Sequence, residues 1–267
     1  MKQHMIKQPL VSVLICAHNA EKIIKRTLIS VLNQTYQHIE ILILDNNSID
    51  KTVKIVQDLA GPSVRLILNK KNVGPYAGLN LLLESAKGTY VAINDHDDVW
   101  HPGKIEKQIS FLEAHRKYVG CGTAIINWYE KYGVPVYRPR SGSDTIAWHT
   151  SLVFRNEGYR YNLSIPLGGD FYFMEKVLCN KKRLIYNFEE PMVLRRIFGR
   201  NKNLSGEWMT QFSLIDLLTL DLPIPDKVTI LNRMILPREL VERIIVKIWG
   251  NNIPGKYHQY ATAFQIT

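Results

Sequence analysis

The sequence predicts an α/β fold: a mostly parallel sheet sandwiched between helices, followed by a C-terminal helical extension. Three observations predict it. Short β-branched runs recur through the first half of the 267 residues, segments of helical spacing lie between them, and the pattern changes beyond Gly206. Strands alternating with helices of this length imply right-handed crossovers and a sheet covered on both faces.

The apolar runs Leu10–Cys16, Ile39–Leu44, Val64–Leu68, Tyr90–Ile93 and Val119–Ile126 read as buried strands. They are too short to be read as buried helices and carry β-branched residues. Between them, Ile23–Leu32, Thr52–Leu59, Ala77–Ala86 and Ile105–Ala114 repeat apolar residues at helical spacing. A further strand is expected within "DTIAWHTSLVFRNEGY". Residues 1–206 are thus expected to form the α/β domain and 207–267 the extension. In the extension, Pro223 and Pro225 separate an acidic, apolar helix from a basic one.

Composition excludes several classes. With 46% hydrophobic residues the chain is globular. No run approaches the roughly 18 apolar residues of a membrane span. The apolar stretch Leu10–Ala17 leads into His18 and Asn19 without a small-residue cleavage site, so a signal peptide is not expected. Cys16, Cys121 and Cys179 lack metal-ligand spacing and read as reduced thiols of a cytoplasmic protein. The net charge of +10 is uneven: residues 176–206 carry 8 basic and 2 acidic groups, and 227–256 carry 6 and 2. A phosphate group or an anionic membrane surface suits that distribution. Nucleic acid is not expected as a partner, because zinc-finger, RNP-like and helix-turn-helix signatures are missing.

In parallel sheets, ligands bind at the carboxyl ends of the strands. His18 and Asn19 follow the first strand, Asp45 to Ser48 the second, Asn69 and Asn72 the third, and Asp95 to Asp98 the fourth. All should open onto one edge. Neither GxGxxG nor GxxxxGK[ST] is present, which argues against a Rossmann dehydrogenase or a P-loop enzyme. Without a glycine-rich cradle, a diphosphate is best held through Mn²⁺ or Mg²⁺ on carboxylates. Three aspartates within the four residues of "DHDD" supply hard oxygen ligands, although the same residues also suit a solvated turn.

The stretch "VSVLICAHNAEKIIKRTLISVLNQTYQHIEILILDNNSIDKT" resembles the opening of the family 2 glycosyltransferases, inverting enzymes of the GT-A fold that use nucleotide-diphosphate sugars. The resemblance continues through "NKKNVGPYAGLN", "GTYVAINDHDDVWHPGKIEKQISFL" and "LGGDFYFMEKVL", covering about residues 8–205. It implies a GT-A-type nucleotide-binding αβα sandwich. It also implies that Asp45 contacts the donor base, that Ala17, Asn19 and Asn72 line the nucleotide pocket, and that Asp95 and Asp97 form the DxD element, with Asp97 on the metal. Asp170 becomes the general base, and Arg196 in "LRRIFGRNKNLSG" becomes the donor-covering arginine of a flexible loop. A UDP-sugar is the expected donor. The expected acceptor is a carbohydrate or a lipid-linked sugar, as in surface-polysaccharide or glycolipid synthesis.

Several positions depart from the family pattern. The first loop reads Cys16, Ala17, His18, Asn19 in place of Pro-Thr-Tyr-Asn, and Gly169-Asp170 stands where many members carry Glu-Asp. His96 at the centre of DxD is read as a solvent-facing spacer, and Phe198 replaces a family histidine. Taken alone, Asp170 could simply cap a helix. Trp148 and His149 are the acceptor candidates, with a core tryptophan and a satisfied histidine as the plainer alternative. Glu239–Trp249 either packs onto the protein or makes a peripheral contact with an anionic membrane. A sugar-nucleotide nucleotidyltransferase and an inactive nucleotide-sugar binding module are the competing functional readings.

Overall fold

The structure is a computed structural model that describes residues 8–165, 168–198 and 238–264. Its first four strands are β1 (Val11–Ala17), β2 (Ile39–Asp45), β3 (Val64–Leu68) and β4 (Tyr90–Ile93). They pair in parallel, with Val13 opposite Ile41 and Ala92, and Ile43 opposite Leu66. Helices α1 (Ile24–Leu32), α2 (Thr52–Leu59) and α3 (Pro75–Ser85) make the crossovers. These elements match the expected ones to within about two residues.

Beyond β4 the sheet changes character. It continues through β5 (Val99–Trp100), helix α4 (Lys104–Ala114), β6 (Tyr118–Tyr129), β7 (Val134–Arg138), β8 (Gly142–Asp144), β9 (Val153–Arg155) and β10 (Leu184–Ile197). The strand order is β3-β2-β1-β4-β9-β6-β10-β5, with β7 on β6 and β8 on β10. Here β4 and β6 pair with β9 in antiparallel fashion, and β5 and β8 do the same with β10.

Alternation along the strands fills the two faces. Val11, Val13 and Ile15 of β1 meet Ile24, Leu28 and Val31 of α1, together with Val56 of α2 and Ile105, Ile109 and Leu112 of α4. Leu14, Leu42 and Leu44 point the other way, against Leu79, Leu82 and Leu83 of α3 and against Phe173. This is the expected three-layer sandwich.

The described residues fall into two units. One holds the residues up to Ile126, Arg138–Arg195 and those from Lys256 onward; the other holds Asn127–Tyr137 and Arg196–Gly255. Two short helices, α5 (Gly169–Tyr172) and the C-terminal α7 (His258–Ala263), lie in the first unit, and α6 (Arg238–Trp249) lies in the second. Phe264, just past α7, is buried, and its carbonyl accepts a bond from Arg26 Nη2 at 2.7 Å. The acidic segment around Pro223 and Pro225 lies outside the described residues.

Within the second unit, α6 buries Ile245 against Tyr129, Val136 and Ile197. Its end is tight. A Cβ on Gly250 would come within 2.2 Å of the Val246 carbonyl oxygen, and Asn251 takes φ 58, a left-handed stop. Leu240, Ile244 and Ile248 are 44%, 40% and 60% exposed, and at one hundred degrees per residue they form a continuous arc beside the exposed Arg243 and Lys247.

Candidate active site

The polar residues that follow β1, β2, β3 and β4 meet at the carboxyl edge of the parallel strands. Asn19, at φ 49 just beyond β1, ties the first two loops together: its backbone N–H donates to Ser48 Oγ at 2.9 Å, and its Oδ1 accepts from the Ile49 N–H at 3.0 Å. Ala17 is buried, and its carbonyl accepts from the Asn46 N–H at 2.7 Å. Asp45 closes β2 and is only 4% exposed; Oδ2 accepts from the Ser48 N–H at 3.0 Å, whereas the buried Oδ1 has no hydrogen-bond partner. A buried carboxylate oxygen left unpaired is costly, and a donor group on a bound ligand would satisfy it.

Asn46 is a member of the site that the sequence did not single out. Its side-chain amide donates to Asn72 Oδ1 at 2.9 Å and to the Gly74 carbonyl, while its Oδ1 accepts from Asn69 Nδ2 and the Val73 N–H. Asn72 Oδ1 also accepts from the Gly74 N–H at 2.9 Å. Asn46 therefore shapes the loop between β3 and α3. Its only sequence signal was an asparagine directly after a buried strand.

The aspartate cluster sits beyond β4. Asp95 is opposed by burial but held below the usual carboxylate range by His149, whose Nδ1 lies 3.6 Å from Asp95 Oδ1, and by the charges of Arg195 and His96. Burial and the neighbouring Asp95 raise Asp97; burial, then Asp97 and Asp95, raise Asp98 further. Like charges crowded together favour a cation among them. Hard carboxylate oxygens under such mutual repulsion fit Mn²⁺ or Mg²⁺, which typically use one or two protein carboxylates plus substrate phosphates. Among the described residues, no three His, Cys, Asp or Glu side chains form a complete cage. His96 is not a solvent-facing spacer: its Nδ1 lies 3.2 Å from the Cys16 carbonyl oxygen, and its own carbonyl accepts from Thr27 Oγ1.

The two arginines of "LRRIF" go different ways. They lie on β10 rather than on a loop, and successive side chains of a strand point to opposite faces. The charge of Arg195 reaches Asp95, Asp97 and Asp98. Arg196, the arginine expected to cover the donor, instead donates to both carboxylate oxygens of Glu130 at 2.8 Å. Arg200 lies outside the described residues.

Asp170 is the second residue of α5, whose N-cap is Gly168, and its Oδ1 accepts from the Tyr76 hydroxyl at 3.3 Å. A Cβ at position 169 would stand 2.7 Å from Tyr76 Cε2, which accounts for glycine where many family members carry glutamate. His149, an acceptor candidate, is largely buried. Its side chain is 12% exposed and spans from Asp95 to the Tyr161 hydroxyl, 2.7 Å from Nε2. Against the cost of burial, the Asp95 carboxylate raises its pKa, with the Asp170 charge adding to it. Trp148 is half-buried beneath Arg138 and Arg140, and its indole N–H is buried without a partner. All three cysteines are free, with Cys121 and Cys179 buried.

The chain is similar to known proteins in sequence and in fold. The profile of the family described as Glycosyl transferase family 2 matches residues 12–178. EpsE of Bacillus subtilis (strain 168) is 34% identical over 163 residues, covering 57% of this chain and 58% of EpsE. WfaP of Escherichia coli, described as a UDP-Glc:α-D-GlcNAc-diphosphoundecaprenol β-1,3-glucosyltransferase, is 38% identical over 109 residues, covering 41% of this chain and 43% of WfaP. The chain thus spans about half the length of these curated relatives. Staphylococcus aureus TarS, solved in complex with UDP, superposes with a TM-score of 0.61 at 17% identity, covering 96% of this chain and 79% of the TarS chain. That likeness extends to the fold.

Proposed function

The chain belongs to glycosyl transferase family 2, and from that premise we propose that it is an inverting glycosyltransferase that moves a sugar from a UDP-sugar to a hydroxyl acceptor. The observation that carries this reading is the meeting, at one sheet edge, of the unpaired Asp45 oxygen, the Asp95–Asp98 cluster and Asp170. Crystals of TarS with UDP and with UDP-GlcNAc support the choice of nucleotide.

In this reading Asp45 accepts from the N–H of the uracil ring, and the loops held by Asn19, Asn46 and Asn72 enclose the nucleoside. Asp97, with Asp95 beside it, would hold Mn²⁺ or Mg²⁺, which when bound neutralises diphosphate charge. Arg195 adds a fixed cation facing the same carboxylates. The acceptor oxygen attacks the anomeric carbon from the face opposite the diphosphate. As that bond forms, the bond from the anomeric carbon to the β-phosphate oxygen breaks and its electron pair leaves on UDP. The acceptor proton passes to the Asp170 carboxylate. Asp45→Ala tests the donor half: calorimetric titration with UDP should show affinity reduced about tenfold, the worth of a hydrogen bond to a charged group. Unchanged UDP affinity would remove Asp45 from the site.

We also propose a lipid-linked acceptor reached at an anionic membrane surface, in surface-polysaccharide or glycolipid synthesis. WfaP is described as acting on a diphosphoundecaprenol-linked sugar. No helix among the described residues is long and apolar enough to cross a membrane. The exposed arc of Leu240, Ile244 and Ile248 beside Arg243 and Lys247 instead suits an in-plane contact, which would hold the enzyme at the inner, cytoplasmic face. Binding to phosphatidylglycerol-rich vesicles should weaken as salt rises, and Arg243→Gln with Lys247→Gln should weaken it severalfold. A wild-type protein that ignores these vesicles at low salt would exclude the contact.

A further inference from the structure

A run of side-chain contacts connects the aspartate cluster to Asp170. His149 bridges Asp95 Oδ1, 3.6 Å from Nδ1, and the Tyr161 hydroxyl, 2.7 Å from Nε2. Tyr161 stacks on Tyr76, with ring centroids 5.3 Å apart and planes 16° apart, and on Phe173 at 3.9 Å. Its backbone is clamped by Asn80, which donates to the Tyr161 carbonyl at 3.0 Å and accepts from its N–H at 2.8 Å. Tyr76 then donates its hydroxyl to Asp170 Oδ1.

We propose that Tyr76 is the positioning residue for Asp170, and that Tyr76, Tyr161 and His149 act as one strut fixing the base relative to the donor-side carboxylate Asp95. The proposal rests on the assignment of Asp170 as base and deepens it.

Four features argue that the strut serves geometry rather than bulk packing. A tyrosine needed only for its ring would not place its hydroxyl on a carboxylate. Burial and the Asp170 charge raise the Tyr76 pKa, and burial raises that of Tyr161, so both remain neutral and Tyr76 remains a donor. Position 169 is held to glycine by the ring that carries the bond. Asp170 lies in the first turn of α5, and the Tyr76 hydroxyl that bonds its Oδ1 orients the carboxylate. An attacking hydroxyl must meet both the anomeric carbon and the base, and loss of such alignment lowers turnover even when the substrate still binds.

Tyr76→Phe keeps the ring and its stack but removes the hydroxyl. Hydrolysis of a UDP-sugar turned over by the wild type supplies kcat and donor KM, and calorimetry supplies UDP affinity. We expect kcat to fall about 10-fold or more, as for loss of a hydrogen bond to a charged group, with donor KM and UDP affinity within about twofold. The same substitution made on Asp170→Asn should cost nothing further, because the group being positioned has lost its basicity. Wild-type kcat in Tyr76→Phe overturns the proposal, and so does a full additional loss in the double variant, which would signal a packing role. Tyr161→Phe, which severs the His149 contact and keeps the stack, should lower kcat in the same sense; an unchanged kcat would cut His149 and Asp95 out of the strut. The two readings fail separately. If Asp170→Asn retains full activity, the base assignment falls; if Asp170→Asn is inactive and Tyr76→Phe is not impaired, only the strut falls.

Discussion

Asp170→Asn should lower turnover by roughly 10²–10⁴-fold, the range associated with loss of a general base, while UDP affinity and stability stay near wild type. The substitution preserves shape and retains an amide able to meet the Tyr76 hydroxyl, so the local structure is conserved while basicity is lost. The competing role makes a different forecast. A residue that merely capped α5 would cost about 1 kcal/mol or less on replacement by Asn and would leave turnover intact. In the structure the carboxylate of Asp170 accepts from the Tyr76 hydroxyl. Steady-state kinetics beside a thermal melt decide the matter, and a folded variant with full turnover would contradict the base assignment.

The second large effect is expected at Asp97. Asp97→Asn should weaken Mn²⁺-dependent donor binding by on the order of 100-fold, since a cation on a diphosphate supplies several kcal/mol of charge stabilisation. Stability should hold or rise, because burial and the adjacent Asp95 charge both oppose ionisation of Asp97 in the protein alone. Removing that charge relieves repulsion among three aspartates. Calorimetry with UDP in the presence of Mn²⁺ or EDTA measures the effect. Identical Mn²⁺ dependence in the wild type and the variant would remove Asp97 from metal binding.

The sequence made the parallel half of the sheet legible because β1, β2 and β4 are largely buried and read as continuous apolar runs. Val11–Ala17 and Ile39–Asp45 are of this kind. The remaining strands carried weaker signals. Strand β5 has two residues and β8 has three, whereas β10 runs for 14 residues through Pro191, a residue that ordinarily argues against a strand. Reading that segment as a loop obscured the alternation of faces on β10, and with it the difference between Arg195 and Arg196. The segment around His149 contributes only a single turn, His149–Ser151, before the three-residue β9.

Within the site, the carboxylates were legible because crowding of like charge after a buried strand is visible in one dimension. The residues that orient them were not. Tyr76 reaches Asp170 across 94 positions, and His149 contacts Tyr161 from within a segment read as extended. Ring stacking leaves no spacing pattern in a chain. Asn46 illustrates the intermediate case: an asparagine in a loop looks solvated, yet four bonds to the loop beyond β3 bury it.

Binding of a UDP-sugar at this sheet edge and transfer of its sugar can be tested together. The most direct measurement is UDP release from a panel of UDP-sugars, with and without Mn²⁺, in the presence of a lipid-diphosphate-linked N-acetylglucosamine acceptor. Mn²⁺-stimulated UDP release is expected from at least one donor, with the sugar recovered on the acceptor or in water and the signal lost in Asp170→Asn. Binding of UDP-sugars without release of UDP from any of them would contradict that expectation and leave a nucleotide-sugar binding module.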